Sequence, residues 1–490
     1  MLLPEKAMKV LFAAVFSLLL LSACTPETPA VPAFVEAEKY PGGQTTVAAE
    51  PFASFELPAA NMPEQRKPDF HAGKALANQP WVKAPTVTTM RDGLGPLYNS
   101  RTCLMCHIKG GKGFVPDNSE IPMLSSLVRL SIPGQADQRQ GVVPHPVYGD
   151  QIQGQSTSLA HQLRHALKNG EVAHDVRPEA YVFIDWHTTE FVYPDGHKVT
   201  LRQPQLRFEQ LGYGPLGEDV LTSLRVAPPL HGVGLLELVK ETDLQALADP
   251  QDQNNDGISG RINRVWDAEQ QQTVTGRFGW KANKPSVKVQ AAAAFNGDVG
   301  ITTTLFPEQP CSPQQTACQQ APDGNDVQNV ELADDLLELV ANFSRNLAPV
   351  KRRKVSDAAV KQGRILFYQA GCQQCHQPSF VTSTSARNPH LGQQTIWPYT
   401  DLLLHDMGPG LADGRPDFLA SGSEWRTPPL WGVGIQQQVN GSTALLHDGR
   451  ATSIEQAIIW HGGEAGNSRQ QFVSFDQAQR QALIEFVKSL

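Results

Sequence analysis

The sequence predicts a mainly α chain made of two related domains, the first of them enlarged by irregular and some β structure. Three observations predict it. The pattern C-x-x-C-H occurs twice in the 490 residues, as "CLMCH" from Cys103 and "CQQCH" from Cys372. A second phrase is also duplicated, "RVAPPLHGVG" from Arg225 and "RTPPLWGVG" from Arg426, and reads as the trace of a repeated unit. The second half also carries helical periodicity before its C-x-x-C-H and again at the chain end.

Taken in order, residues 1–23 form a secretory signal: a lysine, an apolar stretch and small residues stand directly before Cys24 in "MKVLFAAVFSLLLLSAC". The apolar run is shorter than the ~20 residues a membrane span needs. Leu21, Ser22, Ala23 and Cys24 resemble a bacterial lipobox, which makes Cys24 the expected lipidation site and first mature residue. Thr25 rather than Asp after it favours, by analogy with bacterial lipoproteins, the periplasmic side of the outer membrane of a Gram-negative bacterium, with membrane contact through the lipid anchor alone. Residues 24–75 hold eight prolines between Pro26 and Pro68 and read as a flexible tether. The remaining stretch is long enough for two domains.

Residues 76–351 are the expected N-terminal domain with insertions, among them a hairpin, "TTEFVYPDGHKVTLRQP", turning at Pro194, Asp195 and Gly196. Residues 352–490 are the expected C-terminal domain. There Ser356 is the expected N-cap of a helix with Val360, Ile365 and Phe367 on its apolar side, ending at Gly371. Ser474 and Gln477 form a capping-box pattern ahead of an apolar stripe of Leu483, Ile484, Phe486, Val487 and Leu490. The formal charge of −8 becomes −9 when Glu5, Lys6 and Lys9 leave with the signal. Nothing resembles a basic face, so nucleic acid is excluded as a partner class.

All seven cysteines have an assignment. Cys24 takes lipid, four sit in the two motifs, and Cys311 and Cys318 in "CSPQQTAC" close a disulfide loop in an oxidising compartment, free thiols being the alternative. Two thiols three positions apart can each add to one vinyl group of a single porphyrin, and the next histidine then falls beneath the iron. A thioredoxin-type pair needs neither that histidine nor a second copy, and zinc wants four ligands from paired knuckles. The motifs therefore predict two covalently bound c-type haems, on Cys103 and Cys106 with His107 and on Cys372 and Cys375 with His376. The two domains become cytochrome c-like haem domains.

The phrases "GPLYNSRTCLMCHIKGGKG", "RVAPPLHGVGLLE", "DGISGR", "GRFGWKANKPSV", "LLLHDMGPGLAD", "WRTPPLWGVG" and "LLHDGRATSIEQAIIWHGGEA" together resemble the bacterial di-haem oxidoreductase family of peroxidase type, from about residue 80 to the end. That family is related to the di-haem cytochrome c peroxidases and the methylamine-utilisation di-haem enzymes. The resemblance implies that electrons from a periplasmic donor protein, a small cytochrome or cupredoxin, enter at the C-terminal haem. They are used at the N-terminal haem on a small oxidant such as hydrogen peroxide. The methionine or tyrosine that relatives place above the C-terminal haem falls here on His461, which implies a bis-histidine site; Met407 in "HDMGPG" is the alternative ligand. Other readings are an electron-transfer cytochrome with no turnover of its own, or oxidation of a partner protein or metal ions, as in the methylamine-utilisation relatives.

For the far side of the first haem the sequence offers only His145, His161 and His165, none of them distinctive, so that haem is expected to be the reactive one. Glu237, after the first repeated "GVG", is a candidate acid/base, and Trp280 in "GRFGWKA" a candidate relay between the haems. Asp252, Asn254, Asp256 and the carbonyl of Ile258 in "DQNNDGISGRIN" match the first part of a loop for one Ca2+, with Asn263 at its twelfth position in place of Glu.

Overall fold

Each half of the chain is built around two crossing helices brought together by a glycine. In the first half Lys67–Asn78 crosses Asp334–Arg345, and in the second Ala358–Gln369 crosses Gln477–Ser489. A Cβ at Gly73 would lie 2.0 Å from the Leu339 carbonyl oxygen, and one at Gly363 would lie 1.9 Å from that of Ala482. Only glycine lets the backbones approach so closely. Phe343 and Phe486, each four residues beyond the touched carbonyl, pack against the same glycines. The computed structural model describes residues 31–48, 53–88, 91–157, 176–325 and 327–490. Cys24, the signal, and His161 and His165 lie outside the described residues.

The repeat runs further than this pair. An antiparallel ladder, Ser126–Ser131 with Leu221–Val226, leads into the first copy of the Pro-Pro phrase; a shorter one, Leu404–Asp406 with Glu424–Arg426, leads into the second. The two copies then meet each other. Gly232 and Gly432 both have positive φ, 77° and 73°. A Cβ on Gly232 would strike the Trp431 ring at 2.1 Å, and one on Gly432 would come within 2.7 Å of His231 Nε2. His231 Nε2 lies 3.0 Å from the Trp431 carbonyl oxygen. A short capped helix follows in each half, Val287–Ala294 behind Ser286 and Ile454–Trp460 behind Ser453, each serine accepting from the amide three residues on.

The first half differs by its insertions, and these overturn the mainly α expectation: the fold is mixed, 30% helix and 18% strand. All sheets among the described residues are two-stranded. The longest, Tyr181–Val192 with Lys198–Glu209, turns through Gly196 at φ 83°. Its β-branched and aromatic residues favour a pleated strand, and its tip is buried in the second half, where Tyr193 is 2% exposed among Phe472, Leu483 and Phe486. Tyr193 Oη donates to Glu455, and Arg480 pairs with Asp195 at 2.6 Å.

The tether expectation fails for the described part of residues 24–75. Glu38 is 1% exposed and accepts from Arg352 at 3.0 Å and Arg364 at 2.8 Å, pinning residues 31–48 to the second half. The boundary at 75 cuts through the Lys67–Asn78 helix, whose Phe70 and Ala77 are buried. Proline content misled because the residues between the prolines are the ones that anchor, Glu38 and Phe70 among them. Three smaller corrections concern the second half. Its first helix follows Asp357 rather than Ser356, and Ile365 faces outward beside buried Val360 and Phe367. The last capping box is Asp476 with Gln479, because Ser474 belongs to the preceding helix Gly466–Ser474.

Candidate functional site

The first motif is a single turn, Cys103–Cys106, capped by Thr102 Oγ1 on the Met105 amide. The second begins behind Gly371, whose φ of 78° lets the chain turn out of its helix directly into Cys372. Burial pushes the thiols of Cys103 and Cys106 up to about 12, with Asp298 adding to it, and Cys372 likewise to about 12. Burial pulls His107 down to about 4 against the nearby backbone of Pro228 and Gly111, and His376 to about 4 against the Tyr399 carbonyl. Both imidazoles are thus neutral, the form that ligates metal. His376 Nδ1 donates to the Tyr399 carbonyl oxygen at 3.0 Å, which leaves Nε2 as the lone-pair nitrogen.

One continuous cavity of about 440 Å³ is lined by both motifs, by both Pro-Pro phrases and by Trp280. The short capped helices supply corresponding parts of its wall. Counted from their capping serines, Val287, Gln290, Ala291 and Ala294 occupy the same positions as Ile454, Ala457, Ile458 and His461, and all eight line the cavity. The position that carries the His461 imidazole in the second half carries only the Ala294 methyl group in the first. His461 is anchored through Nδ1 to the Ala457 carbonyl oxygen at 2.7 Å and lies close enough to His376 to depress it further. Met407 lines the cavity as well, packed with Trp280, Leu411, Trp425, Leu446 and Trp460.

A family model described as "Di-haem oxidoreductase, putative peroxidase" matches residues 34–490. The chain belongs to this family. No curated protein and no solved structure matches it. The residues present fit the two haems that the family name implies: four thiols and two neutral imidazoles open onto one largely apolar cavity that reaches both motifs.

In this di-haem oxidoreductase the remaining candidates separate cleanly. His145 is off the cavity, with Nε2 on the Leu216 carbonyl oxygen and Nδ1 accepting from the amides of Val147 and Tyr148. Glu237 is corrected from acid/base to structural partner: its carboxylate accepts from Arg345 at 2.7 Å and from the Val287 amide at 2.8 Å, and it is not part of the cavity wall. The acid that does line the wall beside the first motif is Asp298, whose carboxyl burial holds up. Trp280 donates its indole N–H to the Val226 carbonyl oxygen at 2.8 Å and lies beneath the Lys112 ammonium. Trp425, stacked on His447 at 3.6 Å, continues the same cluster.

The Asx-rich loop spends its carboxylates on its own backbone: Asp252 accepts from the Gly257 amide, Asn254 from Asp256 and Asp256 from Ile258. Asn263 is turned inward onto the carbonyls of Lys281 and Asp417, so the twelfth position supplies no ligand to that loop. Cys311 and Cys318 are joined in a disulfide with Cα atoms 5.8 Å apart.

Ala294, Gln290 and Asp298 gave no signal as single residues, though "SVKVQAAAA" aligned on "SIEQAIIWH" would have found the first two. His405 was passed over inside a quoted phrase. Its ring sits between Asp401 and Glu464, both 2.7 Å away, and 3.7 Å from Cys375 Sγ. Burial alone would lower it, yet Asp401 and Cys375 hold it well above the ordinary value. With both nitrogens engaged it is no ligand but a charged support beside the second motif.

Proposed function

We propose that this chain is a periplasmic, lipid-anchored di-haem c-type oxidoreductase that reduces hydrogen peroxide. Cys103, Cys106 and His107 would hold one haem, and Cys372, Cys375 and His376 the other. His461 closes the second haem, and reducing equivalents from a small donor protein enter through that half for use at the first. The observation that carries this reading is the replacement of His461 by Ala294 at the matching position of the first half. An alanine has no donor atom, so the first site keeps a face open to a small oxidant.

Bound haem supplies one-electron chemistry and, on an open face, a coordination position for peroxide. Reducing one H2O2 breaks its O–O bond and takes two electrons and two protons to give two waters. The chain's own residues supply the rest. Asp298, which lines the wall beside the first motif and whose carboxyl burial pushes up, is the group that can deliver a proton at the first site. Gln290, one turn before Ala294 on the cavity wall, can orient a bound oxygen species. Trp280 and Trp425 lie in the wall between the halves, where an aromatic path shortens electron transfer. The packed rings and prolines of the wall exclude bulk water.

Low-temperature electron paramagnetic resonance of the oxidised protein tests the asymmetry. One low-spin and one high-spin ferric signal are expected, and His461→Ala should convert the low-spin one. Two low-spin signals, with no peroxide-dependent oxidation of a reduced donor protein, would make it an electron carrier instead.

A further inference from the structure

The first Pro-Pro phrase opens on a buried arginine with a nitrogen to spare. Arg225 is 7% exposed; Nε donates to Ser223 Oγ at 3.0 Å and Nη1 to Asp417 at 3.0 Å, while buried Nη2 has no partner. It lines the cavity together with Arg129 and Lys284. Arg129 pairs with Asp150 at 2.8 Å. Lys284 Nζ makes no hydrogen bond or ion pair among the described residues, and burial pulls its ammonium down. Arg415 completes the group, sharing Asp417 with Arg225.

These side chains form one electrostatic set around Asp417. Arg129, Arg225, Lys284 and Arg415 each feel both Asp417 and at least one of the other three cations. Their acidic partners are Asp150, Asp417 and, through Arg129, Asp298. Four cations against three carboxylates leave one positive charge unmatched. The neighbouring Lys281 pairs with Asp413 at 3.0 Å. Burying unmatched charge is among the costliest things a fold can do, and such groups normally pair or coordinate. The unmatched charge, with Arg225 Nη2 and Lys284 Nζ both unpartnered among the described residues and both residues on the cavity wall, points to an anionic partner.

We propose that Arg225, Lys284 and Arg129 form the seat for the two propionate carboxylates of the haem held at the first motif. Position supports it, since Arg129 couples to Asp298, and Asp298 in turn to Cys103 and Cys106. The repeat supports it as well. Arg426 heads the second copy of the phrase, lines the same cavity, and spends Nε and Nη1 on the carbonyls of Gly279 and Thr427, with no carboxylate within ion-pair distance among the described residues. An arginine with a free nitrogen at the head of both copies fits one acidic group for each. Arg favours this role because its planar fork matches a carboxylate.

The inference rests on haem being bound at the first motif, and its test separates the two. The mature chain is prepared with Arg225→Gln, Arg225→Lys and Lys284→Met, haem is counted by pyridine haemochrome, and each haem's midpoint potential is read by optical titration, with spin state telling them apart. Arg225→Gln and Lys284→Met should keep two haems, while the first haem's reduction equilibrium falls at least tenfold, 59 mV for one electron. The second haem's potential should stay unchanged, and Arg225→Lys should recover most of the shift. A merely structural arginine would lower stability and leave both potentials in place. Two bound haems with unchanged potentials in both Arg225→Gln and Lys284→Met would overturn the seat and leave the functional reading intact. Absence of haem from the wild type would overturn both. If Arg225→Gln does not fold, Lys284→Met decides alone, because its ammonium bonds nothing within the protein.

Discussion

Replacing Glu38 by glutamine is expected to cost at least about 3 kcal/mol of stability. The magnitude follows from the surroundings. The carboxylate is 1% exposed and is, among the described residues, the only acid serving two buried guanidiniums, Arg352 at 3.0 Å and Arg364 at 2.8 Å, with Tyr399 Oη at 3.3 Å. Breaking one buried pair typically costs about 3–5 kcal/mol because the remaining charge is left desolvated and unmatched. Glutamine keeps an oxygen acceptor, which argues for the lower end, while two stranded cations argue for the upper. Urea unfolding of the mature protein, followed by tryptophan fluorescence, gives the difference directly. Adding Arg352→Met to Glu38→Gln should return part of the loss, since the pair is then removed rather than broken. A loss below about 1 kcal/mol would refute the claim that residues 31–48 are an integral clamp and would restore the tether.

Ala294→His should close the first site: a second low-spin ferric signal appears, and peroxide-dependent oxidation of a reduced donor falls at least 100-fold; unchanged turnover would refute the correspondence with His461. Asp298→Asn should lower peroxide turnover by roughly 10²–10⁴-fold with both haems retained, the usual range for losing a general acid; normal turnover would place the proton source elsewhere. Glu464 is depressed to about 2, chiefly by hydrogen bonds from His405 and Ser259 that outweigh burial. A depressed carboxyl contributes stability that is complete above its unfolded value, near 4.5, and is lost as pH falls toward 2. Glu464→Gln should therefore destabilise at pH 6 and converge with the wild type near pH 2; a constant gap across that window would refute the linkage.

The two C-x-x-C-H motifs and the Pro-Pro phrase were legible because each is a local pattern with a fixed spacing. The last helix was legible too, its stripe from Leu483 to Leu490 being buried as read. The first helix of the first half was not. Lys67–Asn78 carries Pro68 at its start and Gly73 in its middle, and both count against a helix in isolation. Pro68 is harmless in a first turn. Gly73 is required by the carbonyl of Leu339, more than 260 residues away, which no local reading can supply. Glu38 was hidden for the same reason, its partners being Arg352 and Arg364.

What the duplication retains and what it lets go follow different physics. Gly73 and Gly363, Gly232 and Gly432, and the pair Gly234 and Gly434 against the carbonyls of Arg345 and Lys488 hold backbones at distances no side chain could share. Ser286 and Ser453 start equivalent helices by the same hydrogen bond. These positions answer to geometry, so both halves need them in the same form. The cavity-facing positions between them answer to chemistry, and there the halves part: Ala294 stands for His461, and Gln290 for Ala457. A scaffold that holds two sites at fixed spacing can leave one open and close the other by changing a single side chain, because the helix carrying it is fixed by contacts that the change does not touch. Glu237 misled the sequence reading by lying near a scaffold element. Its partners, Arg345 and the Val287 amide, tie the phrase to two helices of the first half, so it belongs with the glycines and the serines rather than with Asp298.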